Sequence, residues 1–493
     1  MLTSLLRRLY ARSEYIRTSR ARPQPRRTFR PRLEALEDRT ALSTLTVLNA
    51  TDHDPGSLRA ILGGASSGDQ IVFDPALDGQ TITLTSGELL LNKSLTITGP
   101  GAGLLTVSGN QASRVFEVAG GATDSVSGLT VSNGRAAPQG GGILNAGTLT
   151  LSNATVSGNL VYGGAGDFDF GGGIYNSGTL TVQNSTVTGN VAYGYTPDIA
   201  TPTAGWGGGI YTRGTLTVTG ITISANAANT GGGLFNNDGT AMVSNSTLSG
   251  NTVYGPGGAI SIGGGAVTVN SSTLAGNTAY GDGGSIRIVS GTLTVNSSTL
   301  SANTASGPYA AGGAICIDGG MVTVTVDTST LAGNHADYYG GAIYNLGTLT
   351  VRNCTIAGNT ASLIGGISNG DPNTTWPATL NMRNTILAGN TDGYGRPDDL
   401  YGSLASSGYN LIGDGSWGDG FAATDLVGTD DAPIDPRLGP LQNNGGPTQT
   451  MALLSGSPAL NAGDPSQLGT KDQCGVVRAG GVNIGAYQDS GGA

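Results

Sequence analysis

Thr179-Leu180-Thr181-Val182 and, after a short break, Ser185-Thr186-Val187 alternate apolar and polar residues with a period of two. That period sends successive side chains to opposite faces of an extended strand and gives the strand one face to bury. The 3.6-residue period of an amphipathic helix does not run through this stretch. The strands so predicted are about four residues long, and Gly, Asn and Ser separate them. These residues turn a chain tightly and accept left-handed backbone angles.

The same pattern, written in full over residues 171 to 190, recurs nine times. The apolar residue after each glycine cluster falls at Ile143, Ile174, Ile210, Leu234, Ile260, Ile286, Ile315, Ile343 and Ile367, spaced by 31, 36, 24, 26, 26, 29, 28 and 24 residues. A second marker keeps register with the first, at Asn159, Asn190, Asn226, Asn251, Asn277, Asn303, Asn334, Asn359 and Asn390. Two markers in step define a structural repeat and not a compositional accident. Three short strands per unit, with no helix to carry a crossover, wind into a solenoid in which each strand pairs with its copy one coil along. The fold expected is all-β, a single-stranded right-handed parallel β-helix of roughly 60 Å, at about 4.8 Å per coil.

Leu180, Leu216, Leu293 and Leu349, with Val182, Val218, Val295 and Val351, are expected to stack inward, while Thr181, Thr217, Thr294 and Thr350 stack outward. Asn153, Asn184, Asn245, Asn270, Asn296 and Asn353 are expected to form a buried amide column that serves turn backbone groups. Pro55 to Ala65 reads as a short amphipathic helix with Leu58, Ile61 and Leu62 on one face, placed to plug the open end of the coil. The organisation expected is an Arg-rich leader over 1–42, an N-terminal cap and first coils over 43–135, nine repeats over 136–392 and a distinct C-terminal region over 393–493.

Composition sharpens this picture at the ends. Of 493 residues, 85 are Gly and 11% are charged, with a net charge of −10. Residues 1 to 39 hold 11 Arg against 4 acids, whereas the rest holds 12 basic and 29 acidic residues. An acidic rod of this kind is unsuited to nucleic acid. The basic leader lacks periodicity and is expected to be dispensable for folding. It has no apolar core of a secretory signal, so the export route is not evident, and no transmembrane segment is predicted. Cys316, Cys354 and Cys474 form an odd set at unrelated repeat positions, and free thiols are expected.

Three regions carry a family resemblance. Pro31-Arg32-Leu33-Glu34-Ala35-Leu36-Glu37-Asp38-Arg39 resembles a motif near the N-termini of large bacterial surface or exported proteins. Gly56-Ser57-Leu58-Arg59-Ala60-Ile61, Gly68-Asp69-Gln70-Ile71-Val72-Phe73 and Leu95-Thr96-Ile97-Thr98-Gly99-Pro100-Gly101 resemble the N-terminal end of bacterial parallel β-helix proteins of the pectate-lyase-like fold. Asn443-Asn444-Gly445-Gly446-Pro447-Thr448, Ser457-Pro458-Ala459 and Asn483-Ile484-Gly485-Ala486-Tyr487 are similar to the choice-of-anchor Q domain. The chain departs from that domain at Cys474-Gly475, Asn483 and Gln488, and no sorting motif follows, so a C-terminal anchor is not expected. The resemblance implies an extracellular or cell-surface bacterial protein, within a superfamily that also contains enzymes.

Candidate chemistry is sparse. With only His53 and His335, and three scattered cysteines, an ordinary zinc site is not expected, nor is a cofactor. Asp414-Gly415-Ser416-Trp417-Gly418-Asp419 reads as a turn-rich linker, not a cation loop. A polysaccharide lyase or hydrolase needs carboxylates converging on a groove, yet residues 136 to 392 hold ten Asp, no Glu, four Arg and no Lys. That scarcity favours a non-catalytic scaffold for surface or adhesion-type binding over a carbohydrate-active enzyme. The densest place is a ledge made by the insertions after Asn159 and Asn190. It is expected to gather Asp167, Phe168, Asp169, Tyr195, Asp198 and Trp206 beside an outward column of Tyr175, Tyr211 and Phe235. Rings beside carboxylates suit a polysaccharide or cell-envelope glycan, either neutral or bridged through calcium.

Overall fold

The computed structural model describes residues 42–165, 168–195, 205–371 and 378–488. The leader, Leu42 apart, lies outside them. One coil, traced from Ile174, consists of Ile174–Asn176, Thr179–Gln183, Thr186–Thr188 and Val191–Tyr195. The first three strands are those the alternation predicts. The fourth is an addition, mostly two residues long as in Ala227–Ala228, too short for a period to show in sequence. Each strand pairs in parallel with its copies one coil away; Leu180, for instance, stands between Leu149 and Leu216.

Stacking the coils makes four faces, parallel sheets of 13, 14, 14 and 9 strands in the order of the coil just traced. A connection that leaves a strand and returns to a parallel neighbour in the same sheet runs right-handed, so the chain is a right-handed parallel β-helix. Its interior is built from the predicted columns, since Leu180, Leu216, Val182 and Val218 are all buried. The fourth face turns in only small residues such as Ala192, Ala228, Val253 and Ala279, which form their own minor cluster. Backbone approaches backbone at the corner before the first face. A Cβ on Gly172 would lie 2.4 Å from the Val191 carbonyl, which is why the glycine cluster recurs.

The expected buried amide column needs correction. Asn153, Asn184, Asn245 and Asn353 sit outside the core in a corner, with φ of +49°, +47°, +49° and +52°, and Asn270 and Asn296 stand one position earlier, half-buried at strand ends. Asn is there because its short polar side chain tolerates the left-handed angle. The buried ladder is instead the register marker itself, Asn159 through Asn390, every member fully buried. Within it Asn190 Nδ2 donates to Asn226 Oδ1 (3.0 Å) and to the Val156 carbonyl (2.9 Å), while its backbone N–H also donates to Asn226 Oδ1 (3.0 Å). The last rung is a carboxylate: Asn390 Nδ2 donates to Asp399 Oδ1 at 2.7 Å. An end rung has no further amide to serve, so an acceptor suffices.

Both ends are closed as the physics of an open solenoid demands. The α-helix Leu58–Gly64, capped by the Ser57 hydroxyl, buries Leu58 and Leu62 over the first coil. At the other end the coils run past residue 392, through Leu400–Ser403, Leu411–Ile412 and Leu426–Val427, beyond the boundary drawn from sequence. The chain then turns back along the third face. Gln473 Nε2 donates to Thr299 Oγ1 (2.9 Å), Thr330 Oγ1 donates to Gln473 Oε1 (2.7 Å), and Ala486 N–H donates to Thr355 Oγ1 (3.1 Å). Ala459 and Ile484 pack with Ile386, Ala388 and Leu411. Ala459, Ile484 and Ala486, from the motifs noted near the C-terminus, thus share with Gln473 the fastening of this segment to the coils. Cys316, Cys354 and Cys474 are free thiols, as expected.

Candidate functional site

The position after the inward aliphatic on the first face forms one column along the rod: Tyr175, Tyr211, Phe235, Ser261, Arg287, Cys316, Tyr344. Its first three members are the predicted ligand-contacting rings. They stack in register, Tyr175 on Tyr211 at 5.2 Å and Tyr211 on Phe235 at 5.6 Å, with ring planes within 5° of parallel. They do not face solvent, however. The parallel pair Asp169–Phe170 and Gly205–Trp206 lies over them, with Phe170 4.8 Å from Tyr211 and Trp206 5.4 Å from Phe235. All three rings are at least nine-tenths buried.

The expectation that they present an open sugar-binding face is therefore corrected: outward pointing is not exposure when an inserted strand covers the column. Asp169 is also buried, its Oδ2 accepting the Gly163 N–H at 2.7 Å. Trp206 is half-buried and Phe168 exposed beside it. Asp167 and Asp198 lie outside the described residues, as does the Tyr195 side chain.

Three coils further along the same column no strand among the described residues covers it, and a pocket of about 470 Å³ opens. Cys316 and Tyr344 of the column line it, next to Arg287, and loops from the coils entered at Ile260, Ile315 and Ile367 bring Asp282, Asp318 and Asp371 to its walls. Arg287 Nη2 pairs with Asp318 Oδ2 at 2.5 Å. Asp282 Oδ1 accepts the Ala311 N–H at 3.0 Å, yet burial raises its carboxyl above the ordinary range. Burial likewise pushes the Cys316 thiol and the Tyr344 phenol up, which keeps both protonated.

The rest of the lining is aromatic. Tyr338 and Tyr339 touch at 3.9 Å between ring centres, Tyr309 meets Tyr338 edge-on at 5.4 Å, and Tyr339 stacks on Tyr344 at 6.1 Å. Tyr309 is largely exposed at the rim. Apolar ring surface, phenol hydroxyls and carboxylates thus face a single concavity, with the Arg287 guanidinium paired to one of those carboxylates. Such a set hydrogen-bonds hydroxyls while offering rings to C–H faces.

Sequence reading missed this site by counting acids instead of placing them. Three of the ten Asp of the repeats converge here. Two signals were present: the column already singled out continues through Arg287 and Cys316, and the repeats entered at Ile286 and Ile315, at 29 and 28 residues, exceed the basal 24 to 26. The surplus of the first builds the loop that carries Tyr309, and that of the second falls at the turn beside Asp318, whereas the stretch with Tyr338 and Tyr339 has the ordinary length. Elsewhere, Asp414 accepts the Ser416 N–H at 3.0 Å, a turn role. Among the described residues no three His, Cys, Asp or Glu side chains are grouped to hold a metal ion, and no helix is long and apolar enough to cross a membrane.

No protein-family model matches the chain, and no curated protein matches it. Among solved structures it is similar to the crystal structure of pectate lyase Pel9A, at 16% identity and a TM-score of 0.35, over 90% of this chain and 96% of that one.

Proposed function

We propose that this protein is an extracellular or surface β-helix scaffold that binds a glycan in the pocket formed by Tyr309, Tyr338, Tyr339 and Tyr344 with Asp282 and Asp318. The observation that carries the reading is the convergence of four tyrosines and three carboxylates on one open concavity of an otherwise small-residue rod. Carboxylates outnumber the one guanidinium, so the ligand is a neutral glycan. The segment that returns along the third face is, on this reading, a docking module related to choice-of-anchor Q regions. What supports that is the use of its motif residues as fasteners.

A second reading has one observation in its favour. Burial raises the Asp282 carboxyl above its ordinary range while Asp318 is ion-paired with Arg287, and two carboxyls in unlike surroundings are what acid-base glycoside hydrolysis uses. Elimination by a lyase fits less well, because Arg287 is engaged by Asp318 and residues 136 to 392 hold no Lys to serve as base. A glycan array run with a polysaccharide degradation screen separates the two. Retention without product supports the binding scaffold, and product whose release is lost in Asp282→Asn supports the hydrolase.

A further inference from the structure

A second set of rings lies on the fourth face, at the position that follows each small inward residue. Tyr162 and Tyr193 are register partners in adjacent coils, Asn229 takes the place in the next coil, and Tyr254 and Tyr280 continue it. Tyr193 and Tyr254 are 5.9 Å apart, and Tyr254 and Tyr280 are 6.0 Å apart with ring planes 22° from parallel.

Unlike the ladder beneath Phe170 and Trp206, this row has open rings at its pocket end: Tyr254 is 42% and Tyr280 58% exposed, while Tyr193 is half-buried and Arg135 lies over the Tyr162 ring. A ladder kept only for packing gains by being buried, as the first one is. The row also leads somewhere. The loop that carries Tyr280 carries Asp282 two residues later, and Tyr309 of the next coil stands at the pocket rim.

We infer that Tyr162, Tyr193, Tyr254 and Tyr280 form a track on which a neutral polysaccharide chain lies along the coil axis as it enters the pocket. The inference rests on the pocket reading above. The coil rise of about 4.8 Å is close to the length of one hexose unit, so a glycan running along the axis meets a ring or an amide at each coil. Each phenol offers an apolar ring beside a hydroxyl that both donates and accepts. The occupant is uncharged because the pocket it leads to has an excess of carboxylate and the whole chain carries −10.

The test is calorimetric titration of the full chain with cello-, xylo- and manno-oligosaccharides from disaccharide to long chain, and with oligogalacturonate. The variants are Tyr254→Ala with Tyr280→Ala, the same pair changed to Phe, and Tyr344→Ala in the pocket. Wild-type affinity for one neutral series should rise with chain length. The double Ala variant, with an unchanged thermal melt, should lose roughly tenfold for the longest chain, a loss of about 1.4 kcal/mol, and less than about twofold for the disaccharide. The Phe pair should keep most of the gain with length, and Tyr344→Ala should weaken every length. If the double Ala variant binds the long chain as tightly as wild type, the track is refuted and the pocket reading stands. If no neutral series binds, or oligogalacturonate binds best, the pocket reading fails and the track falls with it.

Discussion

Replacing Asn277 by Ala tests the amide ladder at its middle. Asn277 Oδ1 accepts from the Asn251 N–H (3.0 Å) and from Asn251 Nδ2 (2.9 Å), and its Nδ2 donates to Asn303 Oδ1 (2.9 Å) and to the Leu248 carbonyl (3.0 Å). Asn303 Oδ1 keeps a partner in the substituted chain, because the backbone N–H of residue 277 still donates to it. The Asn251 backbone N–H loses its only acceptor, and Asn251 Nδ2, left with the Ile223 carbonyl alone, has one N–H orphaned in a fully buried site. At about 1–3 kcal/mol for each orphaned group, the variant should lose about 4 kcal/mol. Asn277→Asp should also be costly, since a carboxylate serves Asn251 but turns acceptor towards acceptor at Asn303. Asn245→Gly, at an exposed corner with a left-handed backbone, should cost less than about 1 kcal/mol. Guanidinium unfolding followed by circular dichroism measures all three. If Asn277→Ala proves no more damaging than Asn245→Gly, the ladder is not what holds the coil corners.

Burial raises the carboxyls of Asp124 and Asp398 to about 6 and of Asp399 to about 7. Folded values above the ordinary carboxylate value mean that their contribution is present below about pH 4 and is lost as pH rises through about 6 to 7. The melting temperature should therefore fall across that window, and Asp399→Asn should flatten the fall while losing the Asp414 N–H bond at every pH; an unchanged slope would refute the assignment. Gly485 has φ +100°, and a Cβ there would meet Ile386 Cδ1 and Thr355 Oγ1 at 2.9 Å each. Gly485→Val should detach the returning segment and expose it to limited proteolysis while the coils keep their unfolding midpoint, and protease resistance like that of wild type would contradict the docking.

How much of this was legible depended on whether a residue's role is set by its own repeat or by its neighbours. Inward Val218 and outward Thr217 follow from alternation alone, because the strand has only two faces. The choice between the two Asn columns does not. Asn184 and Asn190 both close strands, and only the three-dimensional corner shows that one bends left-handed while the other points inward. Tyr211 was placed correctly on the outer side, but its burial comes from Phe170 and Trp206, strands brought in by insertions. Asp282, Asp318 and Asp371 come from three separate coils, those entered at Ile260, Ile315 and Ile367, and meet only when the coils stack. A periodic pattern reports the coil; it is silent on what loops from separate coils build together.

The most direct measurement is retention of the full chain on immobilised neutral glycans, with reducing sugar assayed in the flow-through, for wild type, Tyr338→Ala and Asp318→Ala. The account predicts that wild type is retained, that both pocket variants elute early with unaltered circular dichroism, and that no sugar is released. Retention of both variants at wild-type strength would contradict the pocket as the binding site, and release of sugar by wild type would contradict a scaffold that binds without cleaving.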